Sequence, residues 1–168
     1  MLLFFGIIYL RQMVMFMLSV KSIKDNKEYL KEYFKLSSLE WGEAYKRDDF
    51  EDIIDKRASD VLNGTNDNII LVLGLFDNKD FIGFISLFKY DDNYDYTPWY
   101  ATMYVKSEYR GKHYSKILND ALLDECKKLG YDRIYLKSEL VNYYEKFGAK
   151  YIKNLSDKEK LFYMNLKR

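Results

Sequence analysis

The sequence predicts an α/β protein built on one mixed, mostly antiparallel sheet. Three observations carry this. Short apolar runs rich in β-branched and aromatic residues, bounded by turn residues, recur at 69–76, 81–89, 98–105, 133–137 and 161–166. Between them lie amphipathic stretches of helical spacing at 25–36, 48–63 and 115–129. Aromatic residues make up 18% of the 168-residue chain, far too many for a disordered protein, and the length suits one domain with a real core.

Taken in order, residues 1–20 (MLLFFGIIYLRQMVMFMLSV) are long enough to span a bilayer, but Arg11 and Gln12 sit at their centre. A central Arg costs about 2.5–3.5 kcal/mol even on a lenient insertion scale. No basic residue precedes the apolar run and no small-residue cleavage site follows it, so the segment does not read as a signal peptide. Two readings stay open: a weak membrane anchor, or an extension upstream of a soluble domain, with Met13, Met15 or Met17 as later starts. The second is preferred. It divides the chain into an extension over 1–16 and a domain over 17–168, with a first strand near 16–23 and no membrane partner.

Asp25-Asn26-Lys27-Glu28 resembles a capping box with Asp25 as N-cap. The following helix places Tyr29, Leu30, Tyr33, Phe34 and Leu36 on one face, and a polar break is expected at Ser37-Ser38. Asp48-Asp49 opens a second helix with Phe50, Ile53, Ile54, Arg57 and Val61 at helical spacing, and Asn63-Gly64 ends it. The runs at 69–76 and 81–89, joined by Asp77-Asn78-Lys79-Asp80, predict a hairpin. An acidic, aromatic loop over 90–97 leads to a strand that Pro98 opens, a position where strands tolerate proline. A helix over 115–129 carries Leu118, Leu122, Cys126 and Leu129 on its apolar face and ends at Gly130. A strand at 133–137, a short helix at 141–147 capped by Gly148, and strands at 150–152 and 161–166 complete the order, giving about four helices.

The counts exclude several function classes. One His (His113) and one Cys (Cys126) cannot build a zinc site of the usual kind, so no metal is expected. A single Cys forbids an intrachain disulfide and fits a reducing compartment, so a cytoplasmic location is expected. Any nucleophile–His arrangement would have to run through His113. With 27 Lys+Arg against 26 Asp+Glu the net charge is +1, so no global basic field invites nucleic acid.

The chemistry-bearing stretch is Tyr104-Val105-Lys106-Ser107-Glu108-Tyr109-Arg110-Gly111-Lys112-His113-Tyr114-Ser115. A strand ends, a loop follows, and a helix begins. Successive backbone N–H groups at a helix start form an anion site, and Arg110 and Lys112 add positive charge. The stretch suits a pyrophosphate. Here the sequence resembles the GNAT superfamily of acyl-CoA-dependent N-acyltransferases, whose loop signature is Gln/Arg-x-x-Gly-x-Gly/Ala. Arg110 matches the first position; His113 stands where Gly is usual and Ser115 where Gly or Ala is usual. The flanks Thr97-Pro98-Trp99 and Glu108 to Lys112 look like a branch of the family with a Thr-Pro-Trp strand entry. A second block, Tyr143-Tyr144-Glu145-Lys146-Phe147-Gly148-Ala149, resembles the family's (Phe/Tyr)-Tyr-Glu-Lys-x-Gly-Phe motif. One helix and one strand separate the two blocks, as in the family.

The resemblance implies a sheet splayed between its fourth and fifth strands, with the pantetheine arm of acetyl-CoA entering the gap. On that basis the backbone of Met103, Tyr104 and Val105 would bond the pantetheine and acyl group. The backbone N–H groups of Gly111, Lys112, His113, Tyr114 and Ser115 would hold the pyrophosphate beside Arg110. Tyr144 takes the place of the family's general acid, because a phenol stays protonated at neutral pH. Histone-type members carry a Glu on the fourth strand where this chain has Trp99. A carboxylate must therefore come from elsewhere, or water must relay the proton: Glu43 is preferred, with Glu40, Asp92 and Asp95 as further candidates. The implied activity is transfer of an acetyl group from acetyl-CoA to a primary amine of a small molecule or peptide, by a monomer or homodimer. The alternative is a non-catalytic module of the same fold that binds acyl-CoA or a partner. Beside these readings, Cys126 reads as a buried thiol, Trp41 and Trp99 as core or pocket wall, and His113 as a loop residue that contributes only its backbone.

Overall fold

The computed structural model describes residues 18–91 and 94–167. The extension over 1–16 and Asp92 lie outside the described residues. The strands are β1 (Leu18–Ser22), β2 (Ile69–Asp77), β3 (Asp80–Phe88), β4 (Trp99–Val105), β5 (Arg133–Ser138), β6 (Lys150–Asn154) and β7 (Lys160–Asn165). The helices are α1 (Lys27–Trp41), α2 (Phe50–Leu62) and α3 (Tyr114–Lys128). The strands form one sheet in the order β1-β2-β3-β4-β5-β7-β6. Every neighbouring pair is antiparallel except β4 and β5, which run parallel. This is the mixed α/β sheet that the apolar runs predict.

Both faces of the central strands are covered, which explains why β2 and β3 are apolar almost throughout. On β3, Phe81 and Phe84 face one core with α1 and α2, while Ile82, Ile85 and Leu87 face the other with α3. The first core adds Leu30 and Tyr33 from α1 and Ile54, Ala58 and Val61 from α2. The second adds Leu118, Leu122 and Cys126 from α3 and reaches Ile134, Leu136 and Phe162 on β5 and β7. Each fully buried large side chain contributes about 1.5–3 kcal/mol, so the two cores clamp the sheet from both sides.

Three local expectations shift. Asn26, not Asp25, caps α1: its side chain accepts from the Tyr29 N–H at 3.0 Å. The helix also runs through Ser37-Ser38 to Trp41 instead of breaking there. Ser38 is buried on the stripe of Leu30, Tyr33 and Phe34, and its carbonyl accepts from the Gly42 N–H, so a small polar residue continues the face instead of ending it. The fourth expected helix is a single 3-10 turn, Tyr144–Phe147. Asn142 lies in the left-handed region at φ 55, which prevents a helix from starting earlier, and Gly148 at φ 90 closes the turn.

Candidate active site

The site begins with a defect in β4. Between the pairs Ile85–Met103 and Leu87–Tyr100, the single residue Ser86 opposes both Ala101 and Thr102. This is a β-bulge, which bends the strand carrying the extra residue. The buried Ser86 hydroxyl holds it, lying 2.6 Å from Thr102 Oγ1 and accepting from the Thr102 N–H at 3.2 Å. Beyond the bulge β4 leaves β5. Their registered pairing is confined to Trp99 and Tyr135, beside a bond from the Tyr135 N–H to the Pro98 carbonyl at 2.9 Å. The backbone edge of residues 103–105 therefore faces a gap instead of a neighbouring strand.

A cleft of about 410 Å³ fills this gap, within the usual size of about 300–1,000 Å³ for small-molecule sites. Its floor is Met103, Tyr104 and Val105. One wall is the loop entering α3, and the other is the end of α1 with Glu40 and Trp41; Leu140 and Tyr143 close the mouth. Trp41 meets the Tyr104 ring edge-on at 6.2 Å, and Tyr104 stacks on Phe84 at 5.5 Å, which anchors this wall in the first core.

The loop into α3 is a ready anion cradle. Gly111 adopts φ 81 and His113, the N-cap of α3, adopts φ 61 and ψ 20, so both lie in the left-handed region. Among the described residues, the backbone N–H groups of Gly111, Lys112, His113, Tyr114 and Ser115 donate to no atom of the chain. Five consecutive free donors at the positive end of a helix dipole fit a pyrophosphate. Arg110 turns back: its Nε donates to the Val105 carbonyl at 2.9 Å and its guanidinium lies 5.6 Å from the Tyr104 ring centroid. It thereby ties the cradle to the end of β4.

The structure brings most of the sequence-predicted residues together. Met103, Tyr104, Val105, Arg110, Gly111, His113, Tyr114 and Ser115 line the cleft. Lys112 does not; its ammonium lies 5.8 Å from the Tyr109 ring centroid. Glu43 is also outside. Gly42 ends α1, the chain turns into a 3-10 turn, and the exposed Glu43 carboxylate pairs with Lys46 at 2.8 Å. Glu40, on the last turn of α1, is the carboxylate on the cleft wall. Asp91 pairs with Lys137 at 2.9 Å, and Asp95 lines a separate pocket with Tyr90 and Tyr96.

Tyr144, expected as the general acid, is not among the residues that line the cleft. Its ring packs edge-on against Tyr100 at 5.6 Å and Tyr143 at 5.0 Å. Burial, followed by the neighbouring Tyr143, pushes its phenol up to about 12. Its neighbour Tyr143 is the ring that lines the cleft. Trp41 is pocket wall, one of the two places the sequence offered it, whereas the parts of Tyr109, Leu140 and Tyr143 in the cleft wall were missed; the doubled Tyr143-Tyr144 was the one signal that could have raised Tyr143. Trp99 is core, with its Nε1 donating to the Tyr96 carbonyl at 2.6 Å. Cys126 is buried and its thiol is pushed up to about 12, mainly by desolvation, which makes it a poor nucleophile. Among the described residues, no helix is long and apolar enough to cross a membrane.

A sheet split beside a helix-start anion cradle defines a class of transferase that takes its group from an acyl-CoA. The description of the Acetyltransferase (GNAT) family matches residues 30–149, and the chain belongs to that family. No curated protein sequence matches it significantly. Among solved structures, it is similar to the PaiA N-acetyltransferase of Thermoplasma acidophilum in complex with coenzyme A. That pair has a TM-score of 0.59 and 20% identity over 89% of this chain and 99% of the other. An N-acetyltransferase from Staphylococcus aureus Mu50 gives 0.64 and 18% over 90% and 99%. An aminoglycoside 6'-acetyltransferase type Ii gives 0.63 and 21% over 89% and 98%. At these identities the likeness speaks for the fold. Acetyl transfer from acetyl-CoA to an acceptor follows from the family.

Proposed function

We propose that the domain over residues 17–168 is an N-acetyltransferase that moves the acetyl group of acetyl-CoA onto a primary amine of a small molecule or peptide. The observation that carries this is the continuity of one cleft, from the loop entering α3, with its free N–H groups, to the edge of residues 103–105 that no neighbouring strand covers. The pyrophosphate would take the former and the pantetheine arm, lying as an extra strand, the latter. The thioester would then stand near Glu40, Trp41 and Tyr143.

The reaction is direct. The amine nitrogen attacks the thioester carbonyl, the C–N bond forms, the C–S bond breaks, and the CoA thiolate leaves with a proton. Positioning supplies most of the rate, so no nucleophilic side chain is required. Glu40, in place of Glu43, is the group for the proton lost by the ammonium; its place on the cleft wall supports this. Tyr144 supplies the proton to sulfur. Burial keeps its phenol protonated through the physiological range, and Tyr143 forms the wall in front of it. A cytoplasmic setting agrees with the single unpaired Cys126.

Release of CoA from acetyl-CoA over an amine panel tests this. Turnover is expected, and Tyr144→Phe should lower kcat by about 100-fold or more, as for loss of a general acid, while Tyr143→Phe leaves kcat nearly unchanged. The reverse pattern would move the acid to Tyr143. Binding of acetyl-CoA without turnover of any amine would favour the non-catalytic module.

A further inference from the structure

A second cavity of about 380 Å³ adjoins the cleft, and Trp41 is a wall of both. It lies on the α1/α2 side of the sheet, between α1, the end of β3 and the β4 bulge, so Thr102 borders it one residue before Met103 enters the cleft. Its chemistry is one-sided. The lining includes the exposed Arg57 and the half-buried Asn66 and Asn68, and no Asp or Glu.

These donors are free. Among the described residues Arg57 forms no ion pair and no hydrogen bond, in a chain where thirteen other ion pairs are formed. The two amides are oriented by the backbone. Asn66 Oδ1 accepts from the Asn68 N–H at 3.2 Å, and Asn68 Oδ1 accepts from the N–H groups of Lys89 and Tyr90 at 3.1 and 2.9 Å. Their carbonyl oxygens are thereby occupied and their NH₂ groups remain as donors. One cationic side chain and two amide side chains thus border a hollow walled by Phe34, Trp41 and Phe88.

We propose that this cavity holds the carboxylate end of the acceptor, and that the acceptor is therefore a primary amine that also carries a carboxylate, not a polycation. The inference rests on the acetyl-transfer reading above. The acceptor's amine reaches past Trp41 to Glu40 and the thioester, while its carboxylate meets Arg57, Asn66 and Asn68. The last turn of α1 lies between the two ends, contributing Ser37 and Ser38 to the cavity and Glu40 to the cleft. A diamine of the same length would bring an ammonium to Arg57, where like charges repel and the donors stay unpaired.

The test compares kcat/KM for ω-amino carboxylates of increasing length with their primary amides and with diamines of matching length. Amino carboxylates should be preferred by about tenfold or more over the amides, the range of one charge-assisted hydrogen bond. Arg57→Gln should erase that ratio through KM, and Arg57→Lys should recover part of it; melting temperatures control for folding. Equal or better use of diamines, or a preference that survives Arg57→Gln, would overturn the proposal. If no amine is acetylated, the acetyl-transfer reading fails, and calorimetry with the same compounds on CoA-loaded protein still decides this one. Carboxylate binding lost in Arg57→Gln sustains it, and indifference to the carboxylate overturns it.

Discussion

His113 is where the loop departs most from the family pattern, and its backbone explains why the pattern exists. The residue sits at φ 61 and ψ 20, in the left-handed region that glycine enters freely and other residues enter at a cost. Its side chain makes no capping hydrogen bond. His113→Gly should therefore retain acetyl-CoA affinity by calorimetry and change stability by less than about 1 kcal/mol, because relief of strain offsets added chain entropy. A β-branched residue cannot share this tolerance. His113→Val should lower stability by about 1–2 kcal/mol in urea titration and weaken acetyl-CoA binding, since the free N–H groups on either side lose their common orientation.

At the scale of elements, the site depends on how β3 presents β4. Gly83 lies so close to β4 that a Cβ there would overlap the Tyr104 carbonyl and stand 3.0 Å from Val105 Cα. Gly83→Ala should thus displace the strand edge proposed for pantetheine. We expect loss of about 2–4 kcal/mol in stability, as for overpacking against backbone, together with a raised KM for acetyl-CoA. Ser86 acts on the same strand from one bulge away. Ser86→Ala would leave the Thr102 N–H and the Tyr33 hydroxyl without their partner. The expected cost is about 1–3 kcal/mol, with kcat falling more than the loss of stability explains if the bulge sets the cleft. The existence and type of most elements were legible in the chain, because periodicity reports burial directly. The bulge was not, because Ser86 looks like any polar residue in an apolar run until its partner strand is in place. Nor was the placement of Glu40 and Glu43: three residues apart in sequence, they part at Gly42, where the helix ends.

For the whole molecule, the two cores place several tyrosines in dry surroundings. Desolvation raises the phenols of Tyr33, Tyr100 and Tyr144 above their usual value near 10, that of Tyr144 to about 12. Below pH 10 these groups are protonated both folded and unfolded, so they do not make stability depend on pH. Above it the unfolded chain loses protons that the folded chain keeps, and stability falls as pH rises. Tyr144 alone accounts for about 2–3 kcal/mol by pH 12. Denaturant titrations should be flat with respect to these groups up to pH 10 and decline above it, and Tyr144→Phe should soften the decline. Acetyl-CoA should raise the melting temperature in proportion to the logarithm of its concentration, because the site proposed for it exists only in the folded chain.

The sequence by itself determined the sheet, its flanking helices and the cradle at the start of α3. These are local: alternation, helical spacing, and a strand–loop–helix junction with Gly111 between two cations can all be read from neighbouring residues. The tertiary structure alone decided what faces the cleft. It set Glu40 rather than Glu43 on the wall, brought Tyr143 in front of Tyr144, folded Arg110 back onto Val105, and joined Arg57 from α2 to Asn66 and Asn68 beside β4. Such neighbours are distant in the chain or differ only in direction. Direction is set by where a helix stops and where a strand bulges, and both follow from contacts between elements.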